Sequence, residues 1–303
     1  VAVMSNDDSN KLFCAAFRTP PTNSTGVPHI IEHSVLNGSK HFPSRDPFMQ
    51  LVKGSLNTFL NAMTYPDKTV YPVSSRNDAD FLNLVDVYMD AVLHPLSIEN
   101  RMALDQEGWH YEFDENGRLV MNGVVYSEMK GVFSNPDSIA FWETMKLLFP
   151  DCCYSKESGG DPAHIPDLTF EAYKAFHSRF YHPSNSRIFL DGKVDIDATL
   201  ARLDSFLKDY GRSDVRAEIP LQRPVSKSAT VKYEVSDDGK DKFILVDGWV
   251  IGKFDDREGR LAFAVLSEAL AGSNEAPLKK ALLDRGLCED VELGAEGVQQ
   301  VAA

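Results

Sequence analysis

The chain has 303 residues, of which 45 are acidic and 31 basic, so its formal net charge is −14. With 43% hydrophobic residues it can bury one or two ordinary cores. No apolar run approaches the length of a membrane span, no signal-type segment begins the chain, and no Lys/Arg-rich patch indicates nucleic-acid binding.

The first predicted elements are a strand and a helix. Residues 11–18 (KLFCAAFR) are typical of a largely buried strand. Residues 24–28 (STGVP) offer hydroxyl caps and a proline suited to the first helical turn, which predicts that a helix begins there. The apolar side chains that would bury this helix are Val27, Ile30, Ile31 and Val35.

The predicted helix carries two histidines and a glutamate within one turn. Residues four apart on a helix are neighbours, so His29 and His33 can hold one metal ion together. Glu32 lies close enough to act on a water molecule bound to that ion. The pattern H-x-x-E-H is the inverse of the H-E-x-x-H zinc signature. The alternative is an ordinary helix with two surface histidines, but the cap and the apolar face favour a metal site.

A catalytic zinc ion usually takes three protein ligands. Glu128 is the candidate for the third, because helical spacing places valines on its face, where an unpaired carboxylate is costly. The alternative is a glutamate at the rim of the core that reaches water or pairs with Lys130. In combination with the paired histidines, the metal role is the stronger interpretation.

Two further strands are predicted at 55–63 and 69–74, around the turn formed by residues 65–68. An open strand edge of this kind accepts an extended peptide as an added strand. An ordinary hairpin is the alternative that the residues alone favour.

Four blocks of the sequence resemble the pitrilysin-type zinc metallopeptidases, the inverzincins. They are GVPHIIEHSVLNGS (26–39), KGSLNTFLNAMTYPDKTVYPV (53–73), FLNLVDVYMDAVLHP (81–95) and GVVYSEMKGVFSNPDS (123–138). The long gap between His33 and Glu128 is similar to that of the presequence protease and falcilysin branch. The resemblance covers essentially the whole chain and is strongest up to about residue 190.

The resemblance implies an α+β fold, a mainly antiparallel sheet packed against helices, with a second, similar domain beginning after it. It implies one Zn²⁺ per chain, bound by His29, His33 and Glu128. Glu32 matches the general base that deprotonates the metal-bound water. The segment matching the strand on which the substrate backbone lies consists of Leu60, Asn61, Ala62 and Met63.

The domain organisation predicted from the sequence has three parts. Residues 1–215 form the zinc-bearing domain, residues 216–229 a proline-punctuated linker, and residues 230–303 the truncated beginning of the second domain. Within that last part, the predicted elements are strands at 232–235 and 243–251 and helices at 260–271 and 276–285. We expect the chain to be the N-terminal part of a longer protein.

The function implied is a zinc endopeptidase that degrades short, unfolded, presequence-like peptides. In the resembling family a distal half supplies an Arg and a Tyr for the oxyanion, so we expect full activity to need the missing C-terminal half or a partner chain.

The net charge fits a solvated surface or a chamber that attracts basic peptides. The alternative function is a non-catalytic peptide-binding or scaffold subunit. An intracellular location is expected: a mitochondrial or plastid matrix, or a bacterial cytoplasm.

The remaining cysteines and histidines show no metal-ligand spacing. Cys14, Cys152, Cys153 and Cys288 are expected to be reduced structural thiols. Six histidines in unpaired contexts are expected to have ordinary surface or core roles: His41, His94, His110, His164, His177 and His182.

Overall fold

The computed structural model describes residues 1–43, 47–234 and 243–302. The chain divides into two compact units. The first unit comprises Val1–Asn135 and Lys156–Glu218, and the second comprises Pro136–Ser155 and Ile219–Ala303. The domain and linker bounds expected from the sequence stay predictions.

Strands and helices alternate irregularly along the chain. The strands are β1 (Ala2–Ser5), β2 (Lys11–Arg18), β3 (Asn57–Leu60), β4 (Met63–Thr64), β5 (Lys68–Ser75), β6 (His110–Phe113), β7 (Leu119–Asn122), β8 (Ser186–Gly192), β9 (Val250–Lys253), β10 (Glu296–Gly297) and β11 (Gln300–Ala302). The α-helices are α1 (Val27–Val35), α2 (Pro47–Gly54), α3 (Asp78–Leu93), α4 (Arg101–Glu107), α5 (Val124–Val132), α6 (Pro136–Leu148), α7 (Phe170–Phe180), α8 (Ile196–Leu207), α9 (Arg257–Ala271) and α10 (Pro277–Leu283). Single 3₁₀ turns occupy Leu96–Ile98, Cys153–Ser155, Ile165–Asp167 and Pro183–Asn185.

The first unit is built on a six-stranded sheet. Its strand order is β1-β8-β2-β5-β3, and β4 also pairs with β5. All pairings are antiparallel except that of β1 with β8. The predicted α+β fold with a mainly antiparallel sheet is therefore confirmed.

The centre of this sheet is formed by β2, whose side chains alternate between the two faces. Phe13, Ala15 and Phe17 are buried on one face, and the intervening residues are half-buried. The strand begins and ends as predicted from the sequence. Such alternation fixes the pairing register, because a slip of one residue would expose all the buried side chains.

Helix α1 lies against the sheet and two neighbouring helices. It contacts β4, β5, α4 and α7, and its predicted apolar side chains Val27, Ile30, Ile31 and Val35 are all buried. The helix predicted from the sequence is thus confirmed. Because its apolar side is held in the core, the polar residues of the same turn have defined positions.

The second unit contains a three-stranded antiparallel sheet in the order β10-β11-β9. Helices α9 and α10 agree with the predicted helices within three residues at each end. The strand predicted at 243–251 is wrong over most of its length, because only its last two residues belong to β9. Residues 232–234 form no strand, and the last residue of that prediction lies outside the described residues. A strand is defined by its pairing with a neighbouring strand, and no strand pairing among the described residues includes 232–234 or 243–249.

Candidate metal centre

Helix α1 begins at a glycine. Gly26 is the N-cap residue that precedes the first helical residue. It has φ +70°, and no side-chain hydrogen bond caps the helix. A Cβ at this position would lie 2.7 Å from the carbonyl oxygen of Gly159. The hydroxyl cap predicted from Ser24 and Thr25 is therefore wrong, whereas Pro28 does lie in the first turn. Glycine is required here because the chain around Gly159 approaches the start of the helix directly.

That approach determines the orientation of His29. Its Nδ1 lies 3.0 Å from the carbonyl oxygen of Gly159. A carbonyl oxygen only accepts hydrogen bonds, so Nδ1 carries the hydrogen and Nε2 keeps a free lone pair. Burial lowers the pKa of His29. The side chain is thus held as a neutral imidazole, the form that binds metals.

The second histidine, His33, has a charged neighbour instead. Its Nδ1 lies 3.5 Å from Oε2 of Glu107. Burial lowers the pKa of His33, but the neighbouring carboxylates, Glu107 foremost, outweigh burial and leave that pKa raised. The two imidazole rings meet edge to face, with their centroids 4.9 Å apart.

Glu128 of α5 lies opposite the two imidazoles. Its Oε2 is 3.7 Å from Nε2 of His29 and 3.8 Å from Nε2 of His33. The side chain is 51% exposed, and Val124 beside it is also exposed. The expectation that Glu128 lies on an apolar face is therefore wrong. Among the residues described, the basic side chains within 4 Å of its carboxylate are the two histidines, and Lys130 is not one of them.

Glu32 is buried on the same turn as the histidines. Its Oε2 accepts a hydrogen bond of 3.2 Å from the hydroxyl of Thr64 and lies 3.9 Å from Nε2 of His29. Burial raises the pKa of the Glu32 carboxyl group. A carboxylate with a raised pKa takes up a proton more readily than an exposed one.

The donor set fits a zinc ion. Two imidazole nitrogens and one carboxylate oxygen form one of the ligand sets of catalytic zinc, and tetrahedral ligands at about 2.0–2.1 Å lie roughly 3.4 Å from one another. The distances from Glu128 to the two imidazoles are slightly wider than this. Potential ligand atoms of His29, Glu32 and His33 also lie within 4.8 Å of one another. Two carboxylates therefore border the same imidazole pair.

The predicted substrate strand lies at the edge of the sheet. Leu60 ends β3 and Met63 begins β4, so the strand predicted at 55–63 is interrupted at Asn61 and Ala62. The interruption has a cause in β5: Pro72 accepts from the Asn61 amide at 3.2 Å but has no N–H to return. The carbonyl of Asn61 instead accepts a hydrogen bond of 3.2 Å from the hydroxyl of Tyr88.

Three groups of the site were missed from the sequence: Gly159, Glu107 and Thr64. Each contacts a predicted residue from a separate part of the chain, and none belongs to a short motif. The one available signal was Glu107, an acidic residue that follows Ala103 and Leu104 at helical spacing and stands immediately before a glycine.

The other histidines and the cysteines are distributed through the rest of the chain. The four cysteines all lie in the described part of the chain, and none of them forms a disulfide bond. The histidines are not in unpaired contexts, since Nδ1 of His41 and Nδ1 of His94 lie 2.7 Å and 3.2 Å from the same oxygen of buried Asp90. Among the described residues, no helix is both long and apolar enough to cross a bilayer.

Comparison with solved structures identifies the fold. A protease from Helicobacter pylori matches with a TM-score of 0.66 at 17% identity, over 99% of this chain and 70% of that one. A peptidase M16 inactive domain from Pseudomonas fluorescens matches with a TM-score of 0.70 at 18% identity, over 99% and 69%. The fold is thus that of M16 peptidase domains.

The sequence comparisons define the family. The model "Insulinase (Peptidase family M16)" matches residues 17–130, and the model "Peptidase M16 inactive domain" matches residues 167–299. Protein HypA of Clostridium perfringens is 50% identical over 95% of this chain and 30% of its own length. Presequence protease 1 of Arabidopsis thaliana is 45% identical over 95% and 28%, and the mitochondrial presequence protease of Xenopus laevis is 39% identical over 95% and 29%.

The chain therefore belongs to peptidase family M16, the pitrilysin-type peptidases, in the branch of the presequence proteases. It corresponds to less than a third of the length of these relatives. The resemblance stated from the sequence is confirmed.

Proposed function

We propose that this chain is the metal-bearing part of a zinc endopeptidase that degrades short, unfolded peptides. The observation that carries the proposal is the position of one Glu128 oxygen, nearly equidistant from the Nε2 atoms of His29 and His33. Both imidazoles face it with the nitrogen that is available for a metal. Family membership and the presequence protease relatives support a peptidase.

The two carboxylates of the site have different roles in this proposal. Glu128 is the third ligand, because its oxygen faces both imidazoles and its partial exposure leaves it free to move onto the ion. Glu32 is the general base, because it is buried and Thr64 already holds one of its oxygens. One zinc ion per chain would be held by His29, His33 and Glu128.

A bound zinc ion lowers the pKa of a water molecule towards neutrality and polarises the scissile carbonyl group. Glu32 takes the proton of the attacking water and passes it to the departing amine. Its raised pKa suits both transfers, because the group must first accept a proton and then release it. The hydroxyl of Thr64 holds the accepting oxygen near the imidazoles.

The peptide would bind along Leu60, Asn61, Ala62 and Met63. These residues lie at the edge of the sheet, and Thr64, which follows them, contacts Glu32. A peptide added to this edge would therefore pass beside the general base. Main-chain pairing reads an extended backbone more than its side chains, which suits varied substrates. The net charge of −14 favours basic peptides such as presequences.

Full activity would need the C-terminal half of the longer protein or a partner chain. The chain spans about 30% of its relatives' length, and the groups expected to stabilise the oxyanion lie beyond it. Such groups are typically worth about 10²–10³ in rate. We expect the isolated chain to bind zinc but to hydrolyse peptides slowly. Hydrolysis at a rate normal for zinc peptidases would contradict this expectation.

Metal content tests the proposal most directly. The purified chain is loaded with zinc, desalted and measured by plasma mass spectrometry beside Glu128→Gln. About one zinc per wild-type chain is expected, with much less in the variant. Glu171→Gln on the exposed side of α7 is the matched control and should retain the metal. A folded wild-type chain without zinc would refute the proposal and favour a non-catalytic peptide-binding subunit.

A binding assay tests the substrate strand. A fluorescent basic peptide of unfolded sequence is titrated with the zinc-loaded Glu32→Gln chain, and its anisotropy is followed. The same peptide with alternate backbone nitrogens methylated cannot pair with a strand edge, so its affinity should fall at least about tenfold. Equal affinities would show that the peptide binds elsewhere.

A further inference from the structure

The interruption between β3 and β4 leaves one backbone carbonyl group that the neighbouring strand cannot pair. Residues that face each other in an antiparallel pair exchange either two hydrogen bonds or none, in alternation along the strands. The register of β3 and β4 on β5 places Asn61 opposite Pro72. The Asn61 amide donates to the Pro72 carbonyl oxygen at 3.2 Å, but the proline has no N–H to return. The carbonyl group of Asn61 therefore faces β5 without a donor from that strand.

Tyr88 of α3 supplies the missing donor. Its side chain is fully buried, and its hydroxyl donates to the Asn61 carbonyl oxygen at 3.2 Å. A buried tyrosine hydroxyl needs a hydrogen-bond partner, and so does a backbone carbonyl group that faces into the sheet. A single hydrogen bond between α3 and the edge of the sheet thus satisfies both groups.

The orientation of Asn61 determines which main-chain groups the open edge presents. Successive residues of a strand point their N–H and C=O groups to opposite sides. Because Asn61 points towards β5, the main-chain groups of Leu60 and Ala62 point towards the open edge. The Ala62 amide donates to Oδ1 of Asn61 at 2.9 Å. A carbonyl group of an added peptide strand would replace that side-chain oxygen.

We propose that Tyr88 is a positioning residue of the peptide-binding edge. It holds the carbonyl group of Asn61 towards β5, and this keeps Leu60 and Ala62 in the orientation that pairs with an extended peptide. Tyr88 acts on the peptide only through Asn61. This inference rests on the proposed function, since it assumes that the peptide binds along this edge.

The test measures peptide affinity by fluorescence anisotropy in the full, zinc-loaded chain that carries Glu32→Gln. Tyr88→Phe removes the hydroxyl and keeps the ring. The affinity for the unmodified basic peptide should fall about fivefold, as expected for one lost hydrogen bond. The affinity for the same peptide with alternate backbone nitrogens methylated should stay within about twofold, because that peptide cannot pair with the edge.

Tyr173→Phe is the matched control. Tyr173 is also fully buried, and its hydroxyl donates to the hydroxyl of Ser97 at 2.8 Å rather than to the edge of the sheet. The control should leave both peptide affinities within about twofold of the values measured without it.

A second substitution separates the hydrogen bond from packing. Pro72→Ala gives residue 72 an N–H that faces the Asn61 carbonyl oxygen, so the pair can exchange both hydrogen bonds. Its addition to Tyr88→Phe should restore the affinity for the unmodified peptide to within about twofold. If Tyr88→Phe alone does not fold, this double variant carries the test.

Nuclear magnetic resonance reports on the carbonyl group itself. Asn61 and Ala62 form the only Asn-Ala pair in the sequence, so labelling asparagine with carbonyl ¹³C and alanine with ¹⁵N gives one correlated signal. Tyr88→Phe should shift this carbonyl resonance upfield, because the oxygen loses a hydrogen bond. Adding Pro72→Ala should move the resonance back, and Tyr173→Phe should leave it in place.

The outcomes distinguish this inference from the proposed function. Equal binding of the unmodified and methylated peptides before Tyr88 is changed would overturn the substrate strand and the positioning role together. A preference for the unmodified peptide that survives Tyr88→Phe would overturn the positioning role alone. An equal loss of affinity for both peptides, or a loss that Pro72→Ala does not restore, would also overturn it, since the effect would then arise from packing.

Discussion

His177 is a buried histidine whose protonation should destabilise the first unit. It lies in α7, only 4% exposed, with its Nε2 2.9 Å from the carbonyl oxygen of Val92 and its ring stacked on that of Tyr181 at 4.7 Å. Burial lowers the pKa of His177 to about 4, and the nearby His94 opposes a second positive charge. The folded protein therefore holds this ring neutral.

The size and direction of the effect follow from that pKa. A histidine in the unfolded chain has a pKa of about 6.5, so the unfolded chain binds the proton first as the pH falls. The contribution of His177 to stability is complete above about pH 6.5 and is lost progressively down to about pH 4. At about 1.36 kcal/mol per unit, the full loss is about 3.4 kcal/mol, of which roughly 2.5 kcal/mol falls between pH 7.5 and 4.5.

The assay is urea denaturation followed by circular dichroism at several pH values between 7.5 and 4.5, with a chelator present. Wild type is compared with His177→Gln, in which no proton is bound, and with His164→Gln, which removes an exposed histidine. Other acids contribute equally to all three proteins, so the difference in slope isolates His177. The reasoning is refuted if His177→Gln loses as much stability over this range as wild type does.

Three further predictions concern the metal centre. Glu32→Gln should keep its zinc and lose peptide hydrolysis, and loss of zinc, measured by mass spectrometry, would show that Glu32 is wrongly assigned. Thr64→Val should retain zinc but hydrolyse peptides about tenfold more slowly, because a hydrogen bond to a charged group is typically worth about 1.5–3 kcal/mol; Thr64→Ser should restore the rate. Gly26→Ala should lower the free energy of unfolding by about 2 kcal/mol or more in urea, from its positive φ and the contact with Gly159. Gly54→Ala should leave the free energy of unfolding unchanged, because a Cβ at this position meets no atom within 4 Å.

The elements predicted well were those whose pattern is local. Strand β2 alternates between buried and half-buried positions, and α1 buries its apolar residues at helical spacing, so the side-chain pattern alone specifies each element. The interruption at Asn61 was not predictable in this way. It depends on Pro72 of a neighbouring strand and on the hydroxyl of Tyr88 from α3, neither of which is local to the interrupted strand.

The candidate site likewise has a part that a local pattern predicts and a part that depends on distant residues. The motif His29, Glu32 and His33 is contained within one helical turn, so its sequence already places the three side chains together. Glu128 was selected for an apolar environment that it does not have, although it does face the histidines. The apolar environment expected from helical spacing was wrong, because the exposure of a helix face depends on tertiary packing, which spacing does not encode.

The sequence by itself determined the metal motif, the family and the main elements of the first unit, because helical and strand periodicities are properties of neighbouring residues. Only the tertiary structure decided which groups orient the motif. Gly159 reaches His29, Glu107 reaches His33 and Thr64 reaches Glu32. These contacts join distant segments, and their geometry is produced by packing around α1, which no local pattern encodes.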